Sequence, residues 1–396
     1  MAATVAPFEL QRAPVTNAQF LAFTQAHPEW RRDRAPVVFA APGYLDDWSA
    51  PDALGAGALP DQPVTHVSWF AAQAYCAASG ARLPSWHEWE WAAAADERRA
   101  DARGDADWRQ RVLSEEVSGG GSRLRAVARR KPDVHGVHDL HGLVWEWVDD
   151  FAALMVSPDS RDAADPDTMK FCGAGAMLME QKENYAVLMR ISLLSSVRAS
   201  EATGRLGFRC AHGGAAPEPV PASPPGVAPD SVYELRVPLT DQEGAAIALD
   251  ATRGHPVLIS LFYGSCKNSC PALLPALARL EAGLNQAQRQ DLRVLLVTLD
   301  PEHDLPATLK ALGERHGADL SRWTLARTSP ANVRKLAAVL GVQYRRLPDS
   351  TFNHASVITL LDGEGRIRAQ TTRLAKPEDA FVARLVATLA QGEARN

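Results

Sequence analysis

Val257-Leu-Ile-Ser-Leu-Phe-Tyr-Gly-Ser-Cys-Lys-Asn-Ser-Cys-Pro271 gives the clearest indication of how the second half of the chain folds. Its first seven residues form a mostly apolar run rich in β-forming residues, which is typical of a strand buried on both faces. A short Gly-Ser turn follows, and the two cysteines stand where leucines at helical spacing begin. The stretch therefore predicts a strand, a cysteine pair at the start of a helix, and the helix itself.

Two further strands are predicted downstream, in Arg293-Val-Leu-Leu-Val-Thr-Leu-Asp300 and in Ser356-Val-Ile-Thr-Leu-Leu361. Strand and helix signals alternate through this half, which is the pattern of an α/β domain. Pro275 lies inside the helix that follows the cysteines and predicts a kink there.

The chemistry of the pair depends on its spacing, because cysteines four residues apart in the first helical turn project from one face. The helix N-terminus favours the thiolate form, and two thiolates suit either a disulfide or a soft metal such as Cu(I). His354, just before the third strand, is the candidate third ligand. One imidazole with two thiolates is a set that accepts both Cu(I) and Cu(II).

Four segments of this half resemble the SCO/SenC family of copper chaperones, in the family's order and spacing. They are Phe262-Tyr-Gly-Ser-Cys-Lys-Asn-Ser-Cys-Pro271, Val297-Thr-Leu-Asp-Pro-Glu-His-Asp304, Leu340-Gly-Val-Gln-Tyr344 and Asn353-His-Ala-Ser-Val-Ile358. The resemblance implies a thioredoxin-like fold and one copper ion on Cys266, Cys270 and His354. Asp300 would support the site by lying next to these ligands without binding copper itself. The alternatives are a redox-active dithiol and an inert pair.

A proline-rich stretch divides the chain into halves of different character. Six prolines between 217 and 229 favour a semi-rigid spacer, and nine of the ten tryptophans precede it. We predict a first domain over residues 1–212, a linker over 213–231 and a second domain over 232–396. No internal repeat is visible, so the halves are unlike domains joined in one chain.

The first half resembles the formylglycine-generating enzyme, or sulfatase-modifying factor, family. The segments that carry the resemblance are Ala13-Pro-Val-Thr-Asn-Ala-Gln-Phe-Leu-Ala-Phe23, Gln62-Pro-Val-Thr-His-Val-Ser-Trp-Phe70, Arg82-Leu-Pro-Ser-Trp-His-Glu-Trp-Glu-Trp-Ala92, His135-Gly-Val-His-Asp-Leu-His-Gly-Leu-Val-Trp-Glu-Trp147 and Leu206-Gly-Phe-Arg-Cys-Ala211. The family implies an irregular, C-type-lectin-like α+β domain.

Active members of that family oxidise a substrate cysteine at copper held by two cysteines. At the corresponding positions, counted from the turn that begins at Cys172, this chain has Met179 and Asn184. Leu143 replaces an asparagine of the family, which argues against calcium at the family's site. We therefore interpret the first domain as a recognition module of the type that accompanies copper nitrite reductase. Oxidase activity is the remaining alternative, and it would need thiolates from Cys172, Cys76 or Cys210.

The five internal methionines all lie between residues 155 and 189. They admit two interpretations, because methionine fills irregular gaps in a core and its thioether also binds Cu(I). The second copper site would consist of Met177, Met179, Met189 and Cys172.

Three other groups in the first half are interpreted as structural. We assign packing or loop hydrogen bonds to His135, His138 and His141, and core positions to Trp86, Trp89, Trp91, Trp145 and Trp147. Cys76 and Cys210 fit buried small hydrophobic positions, with a disulfide as the open alternative.

Composition excludes other classes. The formal net charge is −5, and the sequence shows no basic patch of the kind that nucleic-acid binding requires. No apolar run is long enough to span a bilayer. The chain opens without a secretory signal. We expect a periplasmic location, to which a signal or anchor not present in this chain would direct the protein.

Together these features predict a copper chaperone rather than an enzyme. It would carry Cu(I) or Cu(II) to a periplasmic cuproenzyme, with the first domain recognising the client. The client would be a denitrification enzyme, copper nitrite reductase, or else cytochrome c oxidase. The alternative is a thiol-disulfide reductase that keeps a client's copper-ligand cysteines reduced.

Overall fold

The computed structural model describes residues 5–118, 124–154, 185–214, 226–265, 270–347 and 349–393. The chain divides into two compact units. The described residues before 215 belong to the first unit, and those from 226 onward belong to the second.

Most of the first unit is irregular backbone. Its described helices are α1 (Asn17–Ala26), α2 (Trp69–Ala78), α3 (Trp86–Ala93), α4 (Ala106–Ser118) and α5 (Tyr185–Ser196), with single 3-10 turns at Pro28–Trp30 and Phe151–Ala153. Its strands have two residues each: β1 (Glu9–Leu10), β2 (Trp145–Glu146), β3 (Leu206–Gly207) and β4 (Ala211–His212). β1 pairs antiparallel with β4, and β2 pairs parallel with β3.

Polar side chains fix where these helices begin. The hydroxyl of Ser85 accepts the backbone N–H of Glu88, and the Glu88 carboxylate accepts the backbone N–H of Ser85 in return. Arg82 holds the same carboxylate with two hydrogen bonds, of 2.6 and 2.7 Å. Such a capping box satisfies backbone donors that have no partner inside the helix. The Arg-Leu-Pro-Ser-Trp-His-Glu segment is therefore the start of α3.

A buried ion pair between Glu146 and Arg209 joins two sequence motifs of the first unit. Glu146 accepts hydrogen bonds from Nε and Nη2 of Arg209 at 2.8 and 2.9 Å and from the Trp89 indole at 2.8 Å. Arg209 also donates to the carbonyls of Gln11 and His138. Both charged side chains are fully buried. The Trp-Glu-Trp and Gly-Phe-Arg motifs are thus two halves of one structural network.

The tryptophan prediction is correct for three of its five members. Trp86, Trp89 and Trp147 are buried, but Trp145 is half-buried and Trp91 is 47% exposed. Trp91 lies on the outer side of α3, where its ring meets the rings of Phe8 and His135. An assignment based on aromatic character alone therefore counted two tryptophans as core residues that are not buried.

Cys76 and Cys210 form a disulfide, which was the open alternative. Both residues are buried, and the bond links α2 to the last segment of the first unit. The two cysteines are 134 residues apart in the sequence, so no local pattern indicated the pairing.

The second unit is built on a five-stranded sheet. The sheet contains β7 (Val257–Phe262), β8 (Arg293–Thr298), β9 (Trp323–Ala326), β12 (Ile358–Leu361) and β13 (Ile367–Thr371), in the order β13-β12-β7-β8-β9. β7, β8 and β9 are parallel, whereas β12 is antiparallel to both of its neighbours. All six residues of β7 are buried, as the apolar run predicts.

Two strand pairs and five described helices complete the unit. The pairs are β5 (Pro238–Thr240) with β6 (Ala246–Ala248) and β10 (Tyr344–Arg346) with β11 (Phe352–His354). The helices are α6 (Cys270–Ala282), α7 (Gln286–Asp291), α8 (Pro306–Arg315), α9 (Pro330–Leu340) and α10 (Asp379–Glu393), with 3-10 turns at Val232–Leu235 and Leu249–Thr252. α6 continues through Pro275 to Ala282.

The predicted strands are all present but shorter at one end. β7 ends before Tyr263, β8 ends two residues before Asp300, and β12 begins two residues after Ser356. Among the described residues, none of the helices combines the length and the apolar character that crossing a membrane requires.

Candidate metal centre

The predicted cysteine ligands follow the central strand. β7 ends at Phe262, and Tyr263, Gly264 and Ser265 lead away from it. Cys266 lies outside the described residues. Of Cys270 the structure describes the backbone, as the first residue of α6.

His354 is the last residue of β11 and has only 1% of its surface exposed. Its Nδ1 lies 3.3 Å from the carbonyl oxygen of Ala355. A carbonyl can only accept, so Nδ1 is the donor in this contact, as it is in the Nδ1-protonated tautomer. An imidazole in that tautomer can ligate a metal through Nε2.

The ring of His354 lies edge-on to the ring of Tyr263, with 5.6 Å between centroids. Phe352 packs on the same tyrosine at 5.3 Å. Tyr263 is three residues before Cys266 in the sequence. The structure therefore brings the predicted histidine ligand next to the segment that leads to the predicted cysteine ligand.

Asp300 follows β8 and is buried. Its backbone N–H donates to Oγ1 of Thr298 at 3.0 Å, and both carboxylate oxygens lie 2.9 Å from Nδ1 of His303. This hydrogen bond raises the pKa of the exposed His303 above its usual value. The role of Asp300 in supporting a copper site stays a prediction.

Two features of this loop were not predicted from the sequence. Ligand-type atoms of Asp300, Glu302 and His303 lie within 4.8 Å of one another, and Glu302 pairs with Arg346 of β10 at 3.1 Å. Asp304 is buried and contacts the backbone of Gly264. The Asp-Pro-Glu-His-Asp run was a usable signal, because four of its five side chains are metal-ligand types.

Of the four residues predicted for a second copper site, three lie outside the described residues: Cys172, Met177 and Met179. Met189 lies in α5 and is half-buried. The second copper site therefore stays a prediction.

The three histidines have structural contacts. His138 Nδ1 lies 2.9 Å from the carbonyl of Arg130, and His141 Nε2 lies 2.8 Å from the carbonyl of Ala93. His135 packs on Trp91. These contacts agree with loop hydrogen bonding and packing.

A cavity of about 240 Å³ opens between α3, α4 and α5 and was not predicted either. Its walls are mainly apolar. At its inner side, Arg190 pairs with Glu90 at 2.7 Å and lies 4.9 Å above the Trp89 ring. No periodic pattern in the sequence marks it.

Two known families match separate parts of the chain. Residues 1–213 match the model of the sulfatase-modifying factor enzyme 1-like domain, and residues 231–390 match the SCO1/SenC model. The predicted fold classes are confirmed, with an irregular α+β domain first and an α/β thioredoxin-like domain second.

Individual relatives are similar to parts of the chain. Formylglycine-generating enzyme of Streptomyces coelicolor is 28% identical over 257 residues, covering 52% of this chain and 78% of the relative. Inactive C-alpha-formylglycine-generating enzyme 2 of Bos taurus is 27% identical and covers 54% and 80%. The solved structure of Bradyrhizobium japonicum ScoI with copper bound is 26% identical, covers 39% and 97%, and has a TM-score of 0.34. The chain belongs to the sulfatase-modifying factor family through its first 213 residues, and it carries a SCO1/SenC domain fused behind them.

Proposed function

We propose that the second unit binds one copper ion through Cys266, Cys270 and His354 and transfers it to a cuproenzyme outside the cytoplasm. The observation that carries the proposal is the placement of His354, buried and adjacent to Tyr263 at the end of β7. Two thiolates and one imidazole suit copper better than a hard cation. A SCO relative, Bradyrhizobium japonicum ScoI, is described with copper bound.

Copper is cargo in this proposal, and transfer proceeds by exchange of ligands with the client. The cysteines must be reduced before loading, because only free thiolates bind the metal. The buried Cys76–Cys210 disulfide supports a location in an oxidising compartment such as the periplasm.

The first unit serves as the module that recognises the client. Methionine and asparagine stand at the positions assigned to the two catalytic cysteines, and one relative of similar coverage is itself described as inactive. We propose copper nitrite reductase as the client, with cytochrome c oxidase as the second candidate.

Copper stoichiometry of the reduced, full-length protein under anaerobic competition tests the proposal. We expect one equivalent in the parent and none in the Cys266→Ser/Cys270→Ser variant. His354→Ala should bind copper much more weakly, whereas His316→Ala, an exposed histidine after α8, is the matched control and should bind as the parent does. An equivalent that survives in the double variant would indicate the methionine-containing segment instead.

A thiol-disulfide reductase is the second candidate, supported by the thioredoxin-like fold and the cysteine pair. It predicts that His354→Ala retains full disulfide reductase activity and that the parent binds no tight copper. That pair of results would replace the chaperone proposal.

A further inference from the structure

The loops after β7 and β8 begin side by side. The two strands are parallel, and Phe262 at the end of β7 pairs in register with Thr298 at the end of β8. Because the carboxyl ends of parallel strands meet at one edge of the sheet, the chain before Cys266 runs beside the loop that contains Asp304.

The carboxylate of Asp304 connects these loops. Its Oδ2 accepts the backbone N–H of Gly264 at 2.8 Å and also accepts the hydroxyl of Thr298. The Thr298 oxygen in turn accepts the backbone N–H of Asp300 at 3.0 Å. One carboxylate oxygen thus holds the first turn after β7 and, through Thr298, the turn after β8.

The contact with Gly264 is close. A Cβ at residue 264 would lie 2.4 Å from Oδ1 of Asp304, so the carboxylate occupies space that only glycine leaves open in this arrangement. Asp304 is 3% exposed, and its burial raises the pKa of its carboxyl group.

A buried carboxylate at this place needs a compensating gain. Removing a carboxylate from water is costly, and apolar replacements of buried charged groups are often equally stable. The benefit must then lie in what the carboxylate fixes, which is the backbone two residues before Cys266.

We propose that Asp304 is a positioning residue for copper binding, which acts by anchoring the backbone at Gly264, two residues before Cys266 in the sequence. This inference rests on the proposed copper function. Partners that orient metal ligands typically contribute about 10- to 100-fold to metal affinity, and we expect an effect of that size.

The test compares Asp304→Ala, Asp304→Asn and Glu314→Gln in the full-length, reduced protein. Glu314 is an exposed acid on α8 and serves as the control for loss of one negative charge. Hydrogen–deuterium exchange at the Gly264 amide in metal-free protein measures the anchor. Anaerobic competition with a Cu(I) chelator measures copper affinity.

In Asp304→Ala we expect exchange at Gly264 to accelerate and copper affinity to fall at least about tenfold. Asp304→Asn should lie between this variant and the parent, because a single amide oxygen can still accept both the Gly264 N–H and the Thr298 hydroxyl but is a weaker acceptor than an ionised carboxylate. Glu314→Gln should match the parent in both measurements. Should Asp304→Ala not fold, Asp304→Asn and Thr298→Val, which removes the bridging hydroxyl, decide the question by the same two measurements.

Unchanged exchange and unchanged copper affinity in folded Asp304 variants would overturn the positioning role while leaving the copper function intact. Faster exchange without a change in affinity would overturn it as well, since the anchor would then not act on the site. If the parent binds no copper, the proposed function fails instead, and the inference fails with it.

Discussion

Glu146→Gln tests whether the buried Glu146–Arg209 pair holds the first unit together. The substitution keeps the shape of the side chain but removes its charge and replaces one acceptor oxygen by a donor NH₂. The carboxylate accepts three hydrogen bonds, two from Arg209 and one from Trp89. Glutamine can satisfy those donors only in part, and the guanidinium stays buried without a counter-charge.

Breaking a fully buried ion pair on one side costs about 3–5 kcal/mol. A domain of this size is stable by only about 5–15 kcal/mol, so we expect a large loss of stability in the first unit and a clearly lower unfolding midpoint.

Tryptophan fluorescence is the assay, because nine of the ten tryptophans lie in the first half of the chain and Trp323 alone lies in the second. Denaturant titrations therefore report mainly on the first unit. The control is Asp61→Asn, which breaks an exposed pair with Arg129 and should change stability by less than about 1 kcal/mol. A Glu146→Gln protein within about 1 kcal/mol of the parent would refute the structural role assigned to the pair.

Two further predictions concern the same unit. Cys76→Ala should lower its free energy of unfolding by roughly 2–5 kcal/mol, since the disulfide closes a long loop; reductant should produce the same shift in the parent and none in the variant, and an unshifted parent midpoint would contradict the role. Hydrogen bonding from Arg99 lowers the pKa of Asp96 from its usual value near 4 to about 2, so the contribution of Asp96 to stability is present above about pH 4 and is lost as the pH falls toward 2. The stability difference between parent and Asp96→Asn, measured by acid titration of tryptophan fluorescence, should therefore shrink over that interval, and a constant difference would argue against the pairing.

Three strands of the second unit, β7, β8 and β12, were predictable because they are largely continuous apolar runs. The ends of these strands were less predictable, since Asp300 and Ser356 continue the run in sequence but lie outside the strands. The backbone N–H of Asp300, for example, donates to the Thr298 side chain and not to a neighbouring strand. His354 was predictable as a ligand type, and its position beside Tyr263 was not, because that contact joins elements about 90 residues apart.

The first unit was predictable only through its resemblance to a family. Its strands of two residues have no periodicity to detect, and its stabilising contacts connect distant positions, as in Glu146 with Arg209 and Cys76 with Cys210. Propensity places Trp91 in a core, whereas the helix turns it outward.

The pairing of β1 with β4 also bears on how such a chain could arise. Glu9 lies opposite His212, so the first and the last strand described in the first unit lie side by side. A unit with adjoining ends can receive an extension after its last strand without rethreading any part of itself. A domain added after that strand would leave the pairing of β1 with β4 undisturbed, which makes this unit well suited to carrying unrelated partners.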